Sequence, residues 1–156
     1  MTDTKKYPYL AFDGQNIPYG AYGDTVDESV PEGWKKLFFD ACDCINGVLD
    51  DAGIGRGNFH FLQVKEKFGA LRCYWLLAPE EVGTICADAA EDEIRDILSD
   101  LEEDTARTCV VCGETATLQT TGWVLPYCRP CAKKAQAAAN ERHKTNFTVK
   151  QTFQPL

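Results

Sequence analysis

Four cysteines in the C-terminal third of the chain have the spacing of a zinc site. Cys109 and Cys112 form one C-x2-C pair, and Cys128 and Cys131 form a second pair after fifteen intervening residues. Structural zinc takes four ligands in a tetrahedron, and each C-x2-C turn directs two sulfur atoms to one point. Because thiols fill all four positions, none is left for water. We therefore predict a structural Zn2+ and not a catalytic one.

Two other interpretations of these cysteines stay open on the sequence alone. They could be buried or disulfide-linked thiols, or Cys128 and Cys131 could form a redox pair of the thioredoxin type. The first residues lack an apolar signal segment, and no apolar run approaches the ~20 residues of a membrane helix. We therefore expect a soluble cytoplasmic protein with no membrane partner. That reducing compartment favours metal binding over disulfides.

A run of carboxylates between residues 80 and 104 is the second candidate site. The chain has a formal net charge of −8, and this segment alone holds eleven acidic side chains and one basic one. Like charges four residues apart destabilise a helix by about 0.2–0.5 kcal/mol per pair, so their regular recurrence calls for an explanation. The recurring residues are Asp88, Asp92, Asp96, Asp100 and Asp104.

This acidic row is either a solvated helix face or a docking face for a basic partner. Carboxylates about 6 Å apart are similar in spacing to backbone phosphates, so we expect a host protein with a basic, nucleic-acid-handling surface. The alternative is that the zinc module itself binds nucleic acid through the basic residues after its last cysteine. Residues 105–156 hold seven basic and two acidic side chains, but the acidic neighbour opposes the approach of phosphate.

A small basic cluster surrounds a predicted hairpin turn and consists of Lys65, Lys67 and Arg72. It is either a solvated turn that protects a sheet edge or a contact for a small anion or carboxylate. Phosphate-cradling, nucleophile-elbow and zinc-protease motifs do not occur in the chain, so we predict that the protein is not an enzyme. The weaker alternative is a cryptic cysteine site, such as Cys44 with His60.

Hydrophobic periodicity indicates the elements that position these residues. Apolar residues from Trp34 to Ala52 recur at helical spacing and predict a helix that ends at Gly53. Residues 58–66 and 70–77 predict two strands joined by a tight turn. A helical region at 79–104 has two apolar faces offset by about a third of a turn, which predicts a kink or a break near residues 90–93.

The predicted fold class is α+β, with a helix packed on a β-hairpin, a kinked acidic helix and a C-terminal treble-clef-like zinc module. In that module, the order of elements is knuckle, short hairpin and helix. We divide the chain into an irregular arm at 1–30, an α+β body at 31–105, a zinc-binding module at 106–144 and a tail or strand at 145–156. Cys42, Cys73 and Cys86 are expected in the core of the body.

The segment Q-V-K-E-K-F-G-A-L-R, from Gln63 to Arg72, resembles a group of small uncharacterised bacterial and phage proteins. That group combines a Gly-Trp helix start, a Q-V-K-E-K-F-G-G-L-R hairpin and a distal module with two C-x2-C pairs. Gly33 and Trp34 and the four cysteines follow the same order here. The resemblance covers about residues 31–132 and departs from the pattern only at packing positions, Ala70 and Cys73.

The resemblance implies phage or mobile-element ancestry and no assigned activity or catalytic residues. Together with the acidic row, it favours a zinc-stabilised protein that inhibits a host protein of the defence or nucleic-acid-handling type. A regulator that binds nucleic acid through its zinc module is the alternative.

Overall fold

The structure, a computed structural model, describes residues 2–12, 23–78, 85–143 and 152–156. Short 3-10 turns lie at Pro8–Leu10, Val26–Ser29, Glu32–Trp34 and Arg56–Asn58. The helices and strands are α1 (Lys35–Asp51), β1 (Phe59–Lys67), β2 (Ala70–Leu77), α2 (Ile85–Ala106), β3 (Leu118–Thr120), β4 (Pro126–Tyr127), α3 (Arg129–His143) and β5 (Phe153–Pro155). The predicted α+β class is confirmed.

Helix α1 buries one apolar stripe against the β1–β2 hairpin. Phe38, Cys42, Ile45 and Leu49 recur every three or four residues on this stripe and are fully buried. The Phe38 ring lies 5.6 Å from the ring of Phe61 on β1, measured between centroids. The stripe predicted from the sequence is therefore the face that α1 turns to the core.

Strands β1 and β2 form an antiparallel hairpin with a two-residue turn. Lys67 pairs with Ala70, so the turn consists of Phe68 and Gly69, with φ angles of 54° and 82°. Positive φ at both positions matches the right-handed twist of the strands. The inner face of the hairpin supplies Phe59, Phe61, Val64 and Leu71 to the core, which are all buried.

Helix α2 runs without a break from Ile85 to Ala106, so of the kink or break predicted near residues 90–93 the break is ruled out. The prediction based its first apolar face on Val82, Ile85, Cys86 and Ala89 and assigned Ala87 and Ala90 to neither face. In the structure the small side chains of Ala87 and Ala90 continue the stripe of Ile94, Leu98 and Leu101, and all five are buried. Residues 79–84, which the prediction also assigned to this helix, lie outside the described residues.

The N-terminal arm packs on the outer side of the body through two buried tyrosines. The Tyr9 hydroxyl donates to Asn46 Oδ1 at 2.9 Å, and the Tyr7 hydroxyl donates to Asp43 Oδ1 at 2.6 Å. Tyr19 and Tyr22, the other tyrosines of the arm, lie outside the described residues. Among the helices that are described, none is long and apolar enough to cross a membrane.

The C-terminal region is a second, smaller packing unit. Strand β3 pairs with β4 on one side and with β5 on the other, both antiparallel, and α3 begins two residues after β4. Its buried core contains Cys109, Tyr127, Cys128 and Ala132. A knuckle, a β-hairpin and a helix follow each other in the predicted treble-clef-like order.

Candidate metal centre

The four cysteines of the two C-x2-C pairs converge on one point. The sulfur atoms of Cys109, Cys112, Cys128 and Cys131 all lie within 4.8 Å of one another. Cys112 Sγ and Cys128 Sγ are 3.6 Å apart. Four thiolates that surround zinc at 2.3 Å form a tetrahedron with edges of about 3.8 Å. The cluster is therefore positioned to bind a metal ion, and four thiolates are the donor set of structural zinc sites.

A tight backbone turn presents the first pair of sulfur atoms. The Gly113 N–H donates to the carbonyl of Cys109 at 3.0 Å, and the Cys109 N–H donates to the carbonyl of Glu114 at 2.7 Å. Gly113 has a φ of 81°, a conformation that favours glycine. The predicted knuckle therefore depends on the glycine that directly follows the second cysteine.

The start of helix α3 presents the second pair. The Ala132 N–H donates to the carbonyl of Cys128 at 2.9 Å, which makes Cys128 the residue from which the first helical turn grows. Cys131 lies within that turn. The N-terminal end of a helix carries a partial positive charge, which stabilises thiolates beside it.

The surroundings of the thiols affect their ionisation unequally. Burial opposes ionisation of Cys109, but backbone N–H groups of Cys128, Cys112 and Val111 donate to its sulfur and lower its pKa to about 7. Burial and the neighbouring thiols raise the pKa of Cys131 to about 12, and burial also raises the pKa of Cys128. Because thiolates are the metal ligands, a cation that binds here must displace protons from these sulfur atoms.

The knuckle is held against the start of α1 by a close contact between two glycines. The Gly33 N–H donates to the carbonyl of Val110 at 3.1 Å. A Cβ atom on Gly33 would lie 2.1 Å from the Cys109 carbonyl oxygen, and one on Gly113 would lie 2.9 Å from the Gly33 oxygen. The backbones of the knuckle and of the residues before α1 therefore lie too close together to leave room for a side chain at either glycine.

Trp34 adds a second link at the same place. It is fully buried, and its Nε1 donates to the carbonyl of Thr108 at 2.9 Å, one residue before the first ligand. The sequence placed Gly33 in the resemblance, and Trp34 both in the resemblance and in the apolar stripe of α1, but it assigned neither residue to the metal centre. The sequence signal that could have linked them to the metal centre was their occurrence in one pattern with the two cysteine pairs.

The predicted acidic row lies on the exposed surface of α2. Asp88, Asp92, Asp96, Asp100 and Asp104 are all exposed. Asp92 pairs with Arg95 at 2.5 Å within the helix. The other four have no cationic partner in the part of the chain that the structure describes.

One end of the row borders a groove between α1 and α2. The groove has a volume of about 250 Å3, and Leu37, Ala41, Ile97 and Leu101 contribute apolar surface to it. Asp100 and Asp104 line it from α2, and Asp40 lines it from α1. The carboxylates of this end therefore stand beside accessible apolar surface.

The three residues of the basic cluster have different partners. Arg72 Nη2 forms an ion pair with Glu102 on α2 at 2.9 Å. Lys65 Nζ lies 5.6 Å from the centre of the Tyr74 ring, and Lys67 Nζ lies 5.5 Å from the centre of the Phe68 ring. Only the two lysines therefore lack a carboxylate partner among the described residues.

The remaining cysteines divide between core and surface. Cys42 is fully buried in the core, as expected, whereas Cys73 is half-buried and packs against it. Burial raises the pKa of the Cys42 thiol and raises that of Cys73 to about 12. Cys44 is exposed beside the α1–α2 groove, whereas His60 lines a different cavity near Tyr9. The structure therefore does not bring Cys44 and His60 to a common cavity. The side chain of Cys86 lies outside the described residues.

No protein-family model matches this chain, and neither a curated protein nor a solved structure is similar to it. Its class therefore follows from its own fold and site, which define an α+β protein with a four-cysteine, treble-clef-like metal centre. The group that the Gln63–Arg72 segment resembles stays a prediction.

Proposed function

We propose that this protein is a non-enzymatic, zinc-stabilised binding protein whose acidic α2 face contacts a basic surface of another protein. One observation carries the proposal: four aspartates of α2 are exposed and have no cationic partner among the described residues. Other acids of the same region are paired, Glu102 with Arg72 and Glu103 with Arg107. The unpaired set is Asp88, Asp96, Asp100 and Asp104.

The energetics of the row support a binding role. Unpaired like charges at four-residue spacing repel one another, and a basic partner would relieve this repulsion. A single ion pair on the surface contributes little to binding. A cationic side chain of the partner that also covers apolar surface is better shielded from solvent, so its pair contributes more. The groove beside Asp100 and Asp104 offers such surface through Ile97 and Leu101.

The partner class that fits best is a protein that handles nucleic acid, because its basic surface is built to meet charges at phosphate-like spacing. In this proposal the α2 face competes with nucleic acid for that surface and inhibits the partner. Phage or mobile-element ancestry, and a host defence protein as the target, are supported only by the resemblance of the Gln63–Arg72 segment. The metal has a structural role, since four thiolates leave no position for a reacting water.

Capture from host lysate with two charge-matched variants tests the proposal. The first variant replaces Asp88, Asp96, Asp100 and Asp104 with asparagine. The control replaces four exposed acids outside α2 with their amides, namely Asp24, Glu32, Asp51 and Glu114. Each of the four α2 aspartates would form one exposed ion pair with the partner, worth about 0.5 kcal/mol. Loss of all four pairs in the α2 variant corresponds to about a 30-fold loss of affinity.

We expect the unmodified protein and the control to retain the same nuclease-resistant partner and the α2 variant to lose it. Circular dichroism checks that both variants keep the fold. Equal retention by all three proteins, or removal by nuclease of the species that depends on the α2 aspartates, would contradict a protein-binding role for α2.

A further inference from the structure

Two aromatic rings project from neighbouring loops at the end of the hairpin. Phe68, in the β1–β2 turn, is 77% exposed, and Trp123, in the loop between β3 and β4, is 73% exposed. The loops touch: a Cβ atom on Gly69 would lie 3.1 Å from Val124 Cγ1. Trp123 Nε1 also donates to Glu66 Oε2 at 2.8 Å, so the edge of the indole ring is fixed while its surface remains open.

The backbone of the turn makes the presence of a phenylalanine unexpected. Phe68 is the one residue other than glycine with positive φ among those described, at 54°. Asparagine, aspartate and glycine adopt this turn position more readily. The backbone strain lowers stability and the exposed ring gains no burial in return, and such outliers motivate a functional hypothesis.

Lysines lie against two of the aromatic rings on this hairpin. Lys67 Nζ is 5.5 Å from the centre of the Phe68 ring, and Lys65 Nζ is 5.6 Å from that of Tyr74. Both lysines stand on one face of β1, two residues apart, which separates their Cα atoms by about 7 Å. The hairpin thus carries two pairs of an aromatic ring and an ammonium group, each with its lysine on β1.

We propose that this end of the hairpin, which we call the hairpin tip, binds single-stranded nucleic acid. The tip consists of Lys65, Lys67, Phe68 and Tyr74, together with Trp123, which adjoins the turn through its bond to Glu66 on the opposite face of β1. Each nucleotide offers a flat base that stacks on an aromatic ring and a phosphate that pairs with an ammonium group. The two ring–ammonium pairs match this composition. The proposal is independent of the acidic α2 face and of its partner.

Local charge supports the assignment even though the chain is acidic overall. Both carboxylate oxygens of Glu66 accept hydrogen bonds within the tip, one from the Gly69 N–H at 2.8 Å and one from Trp123. Lys65 and Lys67 have no carboxylate partner in the described parts of the chain. An incoming phosphate therefore meets ammonium groups that it does not have to separate from an acid.

A lipid surface fits the same residues less well. Insertion of Phe68 and Trp123 into hydrocarbon would also remove Lys67 and Glu66 from water, because each of these charged groups contacts one of the rings. Burial of such charges without full compensation is strongly unfavourable. A nucleotide strand gives the lysine a phosphate and leaves the Glu66 hydrogen bonds in place.

Fluorescence anisotropy of the zinc-loaded full chain with a labelled fifteen-residue oligothymidylate tests the proposal at low salt. Phe68→Asn is the informative variant, because asparagine suits the turn and should melt no lower than the unmodified protein while removing the ring. We expect it to weaken binding about 5- to 150-fold, the range of one lost base stack. Binding by the unmodified protein should also quench Trp123 fluorescence.

Two further variants locate the contact. Lys65→Gln with Lys67→Gln should weaken binding and reduce the steepness of the salt dependence by about 1.4, the value for two single-strand phosphates. Lys133→Gln with Lys134→Gln is the matched control, because both lysines are exposed on α3. We expect this control to bind as tightly as the unmodified protein.

Three outcomes would overturn the proposal. The first is the absence of oligothymidylate binding, and the second is binding that Phe68→Asn leaves unchanged. The third is Phe68-dependent sedimentation with vesicles of phosphatidylcholine and phosphatidylserine in place of oligonucleotide binding, which would assign the tip to a lipid surface.

Discussion

The body of this protein and its C-terminal module are stabilised by different means. Among the described residues, nineteen buried side chains form one continuous apolar cluster in the body, whereas the apolar cluster of the module has four, two of which are the cysteines Cys109 and Cys128. So small a core offsets little of the entropy of ordering its chain. We therefore propose that a metal held by the four cysteines, which are positioned to bind one, takes the place of a hydrophobic core in the module.

The two regions nevertheless meet through backbone atoms and not through a flexible linker. Gly33 contacts the knuckle at Cys109, and Trp34 donates to the carbonyl of Thr108. Loss of the metal should therefore loosen the start of α1 through this junction. The remainder of the body core should stay packed.

The largest expected effect comes from removing one metal ligand. Cys112→Ser should lose the bound zinc and unfold the module, because structural zinc binding contributes about 10–16 kcal/mol in small zinc domains. Atomic absorption of the purified protein measures the zinc content, and circular dichroism measures the loss of α3.

Cys44→Ser is the matched control, since Cys44 is also an exposed thiol but lies on α1. It should retain one equivalent of zinc and an unchanged melting temperature. A Cys112→Ser protein with full zinc content and normal stability would show that the module does not depend on a metal.

The next largest effect should come from the junction. Gly33→Ala places a methyl group 2.1 Å from the Cys109 carbonyl oxygen, and backbone on both sides limits relaxation. We expect a loss of about 3 kcal/mol in the free energy of unfolding, the upper range for overpacking. Denaturant unfolding of the zinc-loaded protein measures this loss.

Gly47→Ala provides the control for this substitution. A Cβ atom at Gly47 would meet nothing within 4 Å, and the residue lies inside α1. Alanine should therefore stabilise the protein by about 0.5–1 kcal/mol. Equal effects of the two substitutions would contradict a close approach at Gly33.

A substitution at Thr105, on α2, should lower the stability of the body alone and by a smaller amount. Thr105 Oγ1 is buried, accepts a hydrogen bond from the Leu71 N–H at 2.9 Å and donates to the Leu101 carbonyl. Thr105→Val leaves the Leu71 N–H without a partner and should lower the free energy of unfolding by about 2 kcal/mol. Zinc content should not change, whereas a loss of zinc would show that the two regions are not stabilised separately.

The smallest effect is a pH dependence in the N-terminal arm. Hydrogen bonds from Lys6 and Tyr7 hold the pKa of Asp43 below its ordinary value. A lowered pKa in the folded state means that the contact stabilises at neutral pH and is lost as the pH falls below the ordinary aspartate range, about 3.9. Asp43→Asn should abolish this part of the acid dependence in thermal melts between about pH 2 and 5; an unchanged acid profile would contradict it.

The sequence predicted the parts of the molecule that depend on local spacing. The two C-x2-C pairs, the stripe of α1 and the hairpin around Phe68 each follow from residues that are close along the chain. The metal ligands could be assigned because a four-thiolate site requires little beyond correct spacing and turns.

Contacts between distant segments were not predictable in this way. Nothing local to Gly33 indicates that it meets a carbonyl 76 positions later, because the contact depends on how α1 and the knuckle are placed in three dimensions. The burial of Ala87 and Ala90 on α2 was missed for a related reason. Ala87 and Ala90 are buried because neighbouring elements come close to them, which their weak hydrophobicity does not reveal.

Hydrogen–deuterium exchange of the full chain, compared with and without a zinc chelator, tests most directly whether the metal takes the place of a core in the module. Our account predicts that zinc removal abolishes protection in β3, β4 and α3 and at the Gly33 amide. Protection should persist in the middle of α1, in β1 and β2, and at the Leu71 amide bonded to Thr105. Equal protection with and without zinc, or a uniform loss along the whole chain, would contradict this account.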